Sequence, residues 1–325
     1  MTDELLDQDA FNFTDLHRHF GGSISVETVS KVSGISLDEV VSRMVIDQNS
    51  DMSYNLFFSK FKILDSVKWN YDNISLTIQD VVWGLKREGI QYAEIKFSIN
   101  KYLKHIKTPM AEFVMWFIRE FEIHSSNIGI TVDLVLSLKH DMDKKLQTEI
   151  GDLIKNDIIA ECIAGIDIVG DERKFDVNFY KPIYDNWHAA KKVCMAHVGE
   201  INKPQNVIDA IKILKLDRVC HGIAVADNKE IAKLTRDKLI SFDVCITSNI
   251  CTGVATRGNH PVKKMIENGF IVNIGTDDPA IVDTNMKSEY DLFKQETGLS
   301  SADVRKIIDN TINFSAQKII KRKQK

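Results

Sequence analysis

The chain has 325 residues, 44% of them hydrophobic and 27% charged, the balance of an ordinary globular protein long enough for two domains or for one barrel with insertions. Its net charge of −4 lacks the basic excess that binding to phosphate backbones requires, so nucleic acid is not the expected partner. The N-terminal MTDELLDQDA is acidic and has no apolar leader-like run, and no stretch is long and apolar enough to cross a bilayer, so a cytoplasmic, membrane-free protein is expected.

Short apolar, β-branched runs alternate with amphipathic stretches along the whole chain. FNFTDLH (11–17) predicts the first strand. The long gap after it has helical spacing over YNLFFSKFKILDSV (54–67) and ISLTIQDVVWGLKREG (74–89), the latter ending in Gly89, a helix stop. QYAEIKF (91–97), TVDLVLSL (131–138), IAGIDIV (163–169) and VCMAHV (193–198) predict the next four strands, with a helix over AEFVMWFIREFEIH (111–124). A helix over KPQNVIDAIKILK (203–215) precedes DRVCHG (217–222), and ISFDVCI (240–246) and FIVNIGT (270–276) complete eight strands. The terminal KIIKRKQK reads as a solvated, fraying helix end rather than a binding patch.

Alternating strands and helices imply parallel strands, and eight such units imply an α/β fold, a (β/α)8 TIM barrel with extra helices inserted after the first strand, as one domain over 1–325. A doubly wound sheet is the rival, but no G-x-G-x-x-G follows the first strand, so a dinucleotide site is not expected. The five cysteines, at 162, 194, 220, 245 and 251, are odd in number and form no C-x-x-C; Cys194 and Cys220 lie in apolar runs and read as buried, reduced thiols.

In such a barrel the reactive side chains gather at the C-terminal ends of the strands. His17 and His19 stand at the end of the first strand, His197 at the end of the fifth with Glu200 just after it, His221 at the end of the sixth, and Asp277 and Asp278 at the end of the eighth. Four of the nine histidines therefore share one predicted rim. Residues i and i+2 of a strand point the same way, so His17 and His19 can aim at one point.

Zinc takes imidazole nitrogen and carboxylate oxygen and leaves one position open in a catalytic site. His17, His19, His197 and Asp277 can supply three nitrogens and one oxygen, with Glu200 beside the bound water as general acid or base. Read alone, Glu200 could be a helix-start carboxylate in GEINKP, His221 a core histidine, and Asp278 a cap on the turn made with Pro279. Asp277 and Asp278, adjacent and with no cation nearby in sequence, call for a positive partner, which a metal would provide.

DLHRHFGGS, YAEIKFS, GIDIVGDE, AHVGE, RVCHG, TSNICTG and GTDDP occur in the order and spacing of the adenosine deaminase family, which this chain resembles from about residue 11 to 320. The resemblance implies one zinc ion per chain and hydrolytic removal of the amino group of a small-molecule purine. It makes His17, His19, His197 and Asp277 the expected zinc ligands, Glu200 the proton shuttle to the ring, and His221 the residue that orients the attacking water. His19, Gly21, Phe58, Phe61, Gly170 and Asp278 are the expected substrate contacts, Gly170 and Asp278 at the ring nitrogens and the two phenylalanines in an apolar lid. Phe58 and Phe61 fit a helix core equally well.

The chain also departs from the family pattern. Gly21 stands where the family has an acid that meets the ribose 5′ hydroxyl, Gly275 where Asn is common, and Lys96 where Arg is common. The first departure makes a 5′-substituted adenosine an expected substrate beside adenosine itself; the other two read as structural. Adenine or another aminopurine, and a barrel that binds a purine without turning it over, stand as alternatives. A two-metal amidohydrolase needs a lysine at the end of the fourth strand, where this chain has IVGDE.

Overall fold

The structure, a computed structural model, describes residues 13–310 apart from 48 and 202. Eight strands form one sheet in chain order: β1 Phe13–His19, β2 Ile90–Phe97, β3 Thr131–Lys139, β4 Ile163–Val169, β5 Val193–Val198, β6 Arg218–His221, β7 Ser241–Val244 and β8 Ile271–Ile274. Every neighbouring pair is parallel. Helices cover the outer face, so the strands are buried on both sides and read as near-continuous apolar runs. This is the expected (β/α)8 barrel, and the predicted strands match it to within two or three residues at each end.

The differences lie at the rim. β1 continues through His19, so His19 as well as His17 lies within the strand. β6, β7 and β8 are only four residues long, and Asp277 and Asp278 lie just beyond β8. The barrel closes there without a regular ladder. A single bridge joins Arg18 to Asp277; the His19 N–H donates to the Asp277 carbonyl at 2.7 Å, and the Asp277 N–H to the His17 carbonyl at 2.9 Å. The Thr276 hydroxyl adds a 2.5 Å bond to Asp15.

The expected insertion after β1 holds helices Val26–Ser33, Leu37–Met44, Tyr54–Lys60 and Tyr71–Arg87, with a 3-10 turn over Phe61–Ser66. The predicted 54–67 helix is therefore two pieces; the tighter turn presents Phe58 and Phe61 on the same side, beside Phe57. The last helix before β2 ends as its sequence demands, with Gly89 at φ +73°. The predicted 203–215 helix is α-helical over Pro204–Asp209 and widens to a π-turn over Ala210–Leu214. Cys194 and Cys220 are buried thiols, as expected. No helix among the described residues is long and apolar enough to cross a membrane. KIIKRKQK lies outside the described residues.

Candidate active site

The barrel interior carries charge, and that charge aims the rim histidines. Lys96 on β2 pairs with Asp167 on β4 at 2.8 Å, and Asp167 in turn holds Nδ1 of His197 at 3.1 Å. Arg218 on β6 binds Glu94 and reaches Asp243 at 3.0 Å; Asp243 stands 3.6 Å from Nδ1 of His17. All are buried. Burial opposes ionisation of Asp167, but His197 and Lys96 outweigh it and hold the carboxyl well below its usual range. Burial of His197 pushes its imidazole down to about 4, so it is neutral.

With their Nδ1 atoms turned to carboxylates, His17 and His197 present Nε2 to the rim. Nε2 of His197 lies 3.1 Å from Nε2 of both His17 and His19. Asp277 Oδ1 lies 3.3 Å from Nε2 of His17 and 3.1 Å from that of His19. Two lone-pair nitrogens at such a distance repel unless something positive lies between them. Four of the six separations among these donor atoms are 3.1–3.3 Å, close to the edge of a tetrahedron around an ion about 2.0–2.2 Å away. The donor set therefore fits one divalent cation of zinc type. His221 is part of the same cluster: its ligand atom lies within 4.8 Å of those of His17, His197 and Asp277.

A chain of hydrogen bonds assigns the proton on His221. The Val262 N–H donates to Nδ1 of His260 at 3.1 Å, so His260 carries its proton on Nε2 and donates to Asn249 Oδ1 at 3.2 Å. The Asn249 amide is thereby oriented with Nδ2 donating to Nδ1 of His221 at 3.1 Å. His221 is left with its proton on Nε2, facing Asp277 Oδ2 at 3.9 Å. Burial holds this imidazole well below its ordinary value, so it stays neutral. Ser248 donates to the same Asp277 oxygen at 2.6 Å. His221 and Asp277 both adopt left-handed backbone, φ +62° and +63°, which costs a non-glycine residue about 1–3 kcal/mol and bends the chain sharply at the rim.

Glu289 pins the segment that supplies Ser248 and Asn249. It accepts the N–H of Ile246 at 3.1 Å and the hydroxyl of Thr284 at 2.9 Å, and burial pushes its carboxyl up to about 7.

Glu200 is buried in the loop after β5, and the next helix begins only at Pro204, so the helix-start reading does not hold. Its backbone is fixed by Glu172, which accepts the N–H groups of Gly199 (2.6 Å), Glu200 (3.1 Å) and Ile201 (3.2 Å). Burial, then the charges of Asp277 and Glu172, raise the Glu200 carboxyl well above its usual range, with the Tyr54 hydroxyl acting the other way. The same burial and charges favour the protonated form of this carboxyl. Asp278 makes no cap to the short helix at Pro279, and its Oδ1 has no hydrogen-bond partner. Burial and then Asp277 push it up to about 8. No cation stands near this carboxylate pair in sequence, but the fold brings two: Lys101 and Lys139 both act on Asp278 through space, because the ends of β2 and β3 converge there.

A cavity of about 610 Å³ opens above this cluster, within the usual size of a small-molecule site. His19, Gly21, Phe58, Phe61, Gly170, His197, Glu200, His221, Asp277 and Asp278 all line it, while His17 sits beneath. Gly22 lets the chain run against Asp278, where a Cβ would come within 1.9 Å of Oδ1, and Gly275 packs on His17, where a Cβ would meet its Cβ at 2.6 Å. The structural readings of Gly275 and of the buried Lys96 agree with this packing. Sequence reasoning assigned no role to Tyr54, Glu172, Asp167, Asp243, Asn249 or His260. Asp167 and Glu172 lie in the quoted GIDIVGDE motif and Asn249 in TSNICTG, which was the available signal.

An eight-stranded parallel barrel with a histidine–carboxylate cluster on its C-terminal rim is the architecture of an amidohydrolase-type enzyme. A statistical model of the adenosine deaminase family matches residues 13–324, and the chain belongs to that family, a family of hydrolytic deaminases. It is 26% identical to an adenosine deaminase of Edwardsiella ictaluri over 314 residues, 94% of this chain and 93% of the relative. Its fold is similar to that of an amidohydrolase from Burkholderia ambifaria with bound Zn (TM-score 0.81, 20% identity, 96% of this chain and 90% of the other). It is also similar to ADAL from Arabidopsis complexed with IMP (TM-score 0.79, 18% identity, 96% of both chains).

Proposed function

We propose that this protein removes the 6-amino group of a purine nucleoside, adenosine or a 5′-substituted adenosine, by hydrolysis that depends on one divalent metal, with zinc the first choice. The observation that carries this reading is the convergence of three imidazole nitrogens and one carboxylate oxygen beside a buried glutamic acid. The Zn held by the Burkholderia amidohydrolase and the 6-oxopurine nucleotide held by Arabidopsis ADAL support the same reading.

His17, His19, His197 and Asp277 would hold the cation. When bound, such an ion would lower the pKa of water to about 7 and so supply a nucleophilic oxygen at neutral pH. The chain's own residues do the rest. Glu200 donates its proton to the ring nitrogen next to C6, drawing electrons from that carbon. His221, with its proton on Nε2, donates a hydrogen bond to the attacking oxygen. Asp278, protonated and without a protein partner at Oδ1, binds a ring nitrogen, and the Gly170 backbone meets another. Phe58 and Phe61 cover the base and keep bulk water out. The oxygen bonds to C6, its remaining proton passes to the amino group, and the C6–N bond breaks to release ammonia and leave the 6-oxopurine; the proton lost by the incoming water returns to Glu200.

The test is ammonia release across adenine, adenosine, 5′-modified adenosines and adenosine 5′-monophosphate, with metal content measured on the same sample. Release from at least one 6-aminopurine by protein carrying one metal per chain is expected. Purine binding without any ammonia would favour the non-catalytic barrel.

A further inference from the structure

The cavity has a second chemical region, set apart from the imidazoles. Lys101, four residues past β2, and Lys139, the last residue of β3, both line its wall, and Lys62 and Lys104 stand exposed at its mouth. Among the other basic groups of the lining, Lys96 is engaged with Asp167 at 2.8 Å and Arg173 with Asp171 at 2.8 Å. The side-chain ammonium groups of Lys101 and Lys139 have no hydrogen bond and no ion pair within 4.0 Å among the described residues. Asp65 and Asp278 act on Lys101 only through space. Burial, and then the charge of Lys139, push the Lys101 ammonium down to about 8.

Holding two ammonium groups near each other in a half-buried wall is unfavourable without an anion between them. The wall also has room for one. Gly21 borders this region: a Cβ placed there would lie 3.6 Å from Nζ of Lys101 and 3.4 Å from Leu64, ordinary contact distances. An acid at position 21 would reach Lys101 and cancel its charge; glycine leaves the ammonium free and the space open.

We propose that Lys101 and Lys139 form an anion subsite and that the substrate is a 6-aminopurine nucleoside 5′-monophosphate. Its base points to Glu200 and its phosphate lies against the two lysines beside Gly21. This rests on the deaminase reading and narrows its substrate. A phosphate monoester carries about −1.5 to −2 charge at neutral pH, which matches two point charges, and the exposed Lys62 and Lys104 draw it toward the mouth.

The experiment compares kcat/KM for adenosine 5′-monophosphate and adenosine, and calorimetric binding of inosine 5′-monophosphate, inosine and inorganic phosphate. The wild type should prefer the nucleotide at least tenfold in both assays, and the preference should shrink as salt rises. The nucleotide-to-nucleoside ratio should fall at least tenfold in Lys101→Met, in Lys139→Met and in Gly21→Asp. A wild type that uses adenosine as well as the nucleotide overturns the proposal, whether or not the variants fold. So does a preference that survives both lysine replacements. Inorganic phosphate that binds as tightly as inosine 5′-monophosphate would overturn the nucleotide assignment. If no 6-aminopurine is turned over while inosine 5′-monophosphate still outbinds inosine, the subsite stands and the deaminase reading falls. If adenosine is turned over with no preference for the phosphate, the deaminase reading stands and the subsite falls.

Discussion

The side-chain amide of Asn249 donates to Nδ1 of His221 at 3.1 Å, and its own orientation is dictated by His260, whose ring is fixed by the backbone N–H of Val262. One backbone donor thus sets, through two side chains, where a rim histidine keeps its proton. An exchange of one atom type should undo this. Asn249→Asp offers Nδ1 an acceptor in place of a donor, so the proton should move to Nδ1 and leave Nε2 bare toward the cavity. Turnover is expected to fall about 10²–10⁴-fold, the usual worth of proton placement in catalysis, with KM changed far less. Nitrogen NMR of His221 reports the tautomer directly; an unchanged tautomer with lost activity would show another cause.

Glu200→Gln keeps the shape of the side chain and removes its transferable proton. Turnover should drop by about 10²–10⁴-fold while metal content stays at the wild-type level. Loss of metal in this variant would make Glu200 a ligand or a support for one, and unchanged turnover would remove it from the chemistry.

Treatment with a chelator should abolish ammonia release and lower the melting temperature, and added zinc should restore both. A ligand present at 100 times its Kd stabilises a fold by about 2.7 kcal/mol, so the change should be readily measured. His17→Ala should resemble the chelated wild type and gain little from added zinc. Two metals per chain by elemental analysis would instead favour a dinuclear site.

Glu289 predicts a pH dependence of stability. Its folded pKa, about 7, lies above the ordinary value of 4.5, so the folded chain holds a proton that the unfolded chain has released. The contribution is fullest below about pH 4.5, declines as pH rises, and is gone above about pH 7. A tenfold change in proton affinity between the folded and unfolded chain is worth about 1.4 kcal/mol. Denaturation of Glu289→Gln at pH 5 and pH 7.5 should show a smaller difference than the wild type; equal differences would place the titration elsewhere.

Much of this fold can be read from the chain because parallel strands buried on both faces are mostly apolar. The eight runs stand out against amphipathic helices for that reason. His17 and His19 are legible because a two-residue period is a local property of a strand. Asn249, His260 and Glu172 are not, since their roles depend on which loops meet above the barrel. Lys101 is harder still: in sequence it is one lysine among many, and only the convergence of β2 and β3 sets it beside Lys139 and Gly21. The division of 54–67 into a helix and a tighter turn escaped periodicity because both pieces are apolar on the same side.

The seam of the barrel has a consequence for how the molecule comes into being. Asp15 and Thr276, 261 positions apart, meet where the last strand returns to the first, and His17, His19 and Asp277 supply the backbone bonds there. During synthesis β1 emerges early and must wait for nearly the whole chain before its partner exists. Loop closure over such a span is slow to reward the contacts it permits. Until the chain beyond β8 is delivered, the two histidines of β1 lack the Asp277 carboxylate that meets their Nε2 atoms. A chain stopped short of residue 277 would therefore carry most of the barrel's residues and none of its finished rim. The ribosome holds a shell open on one side until the final strand arrives.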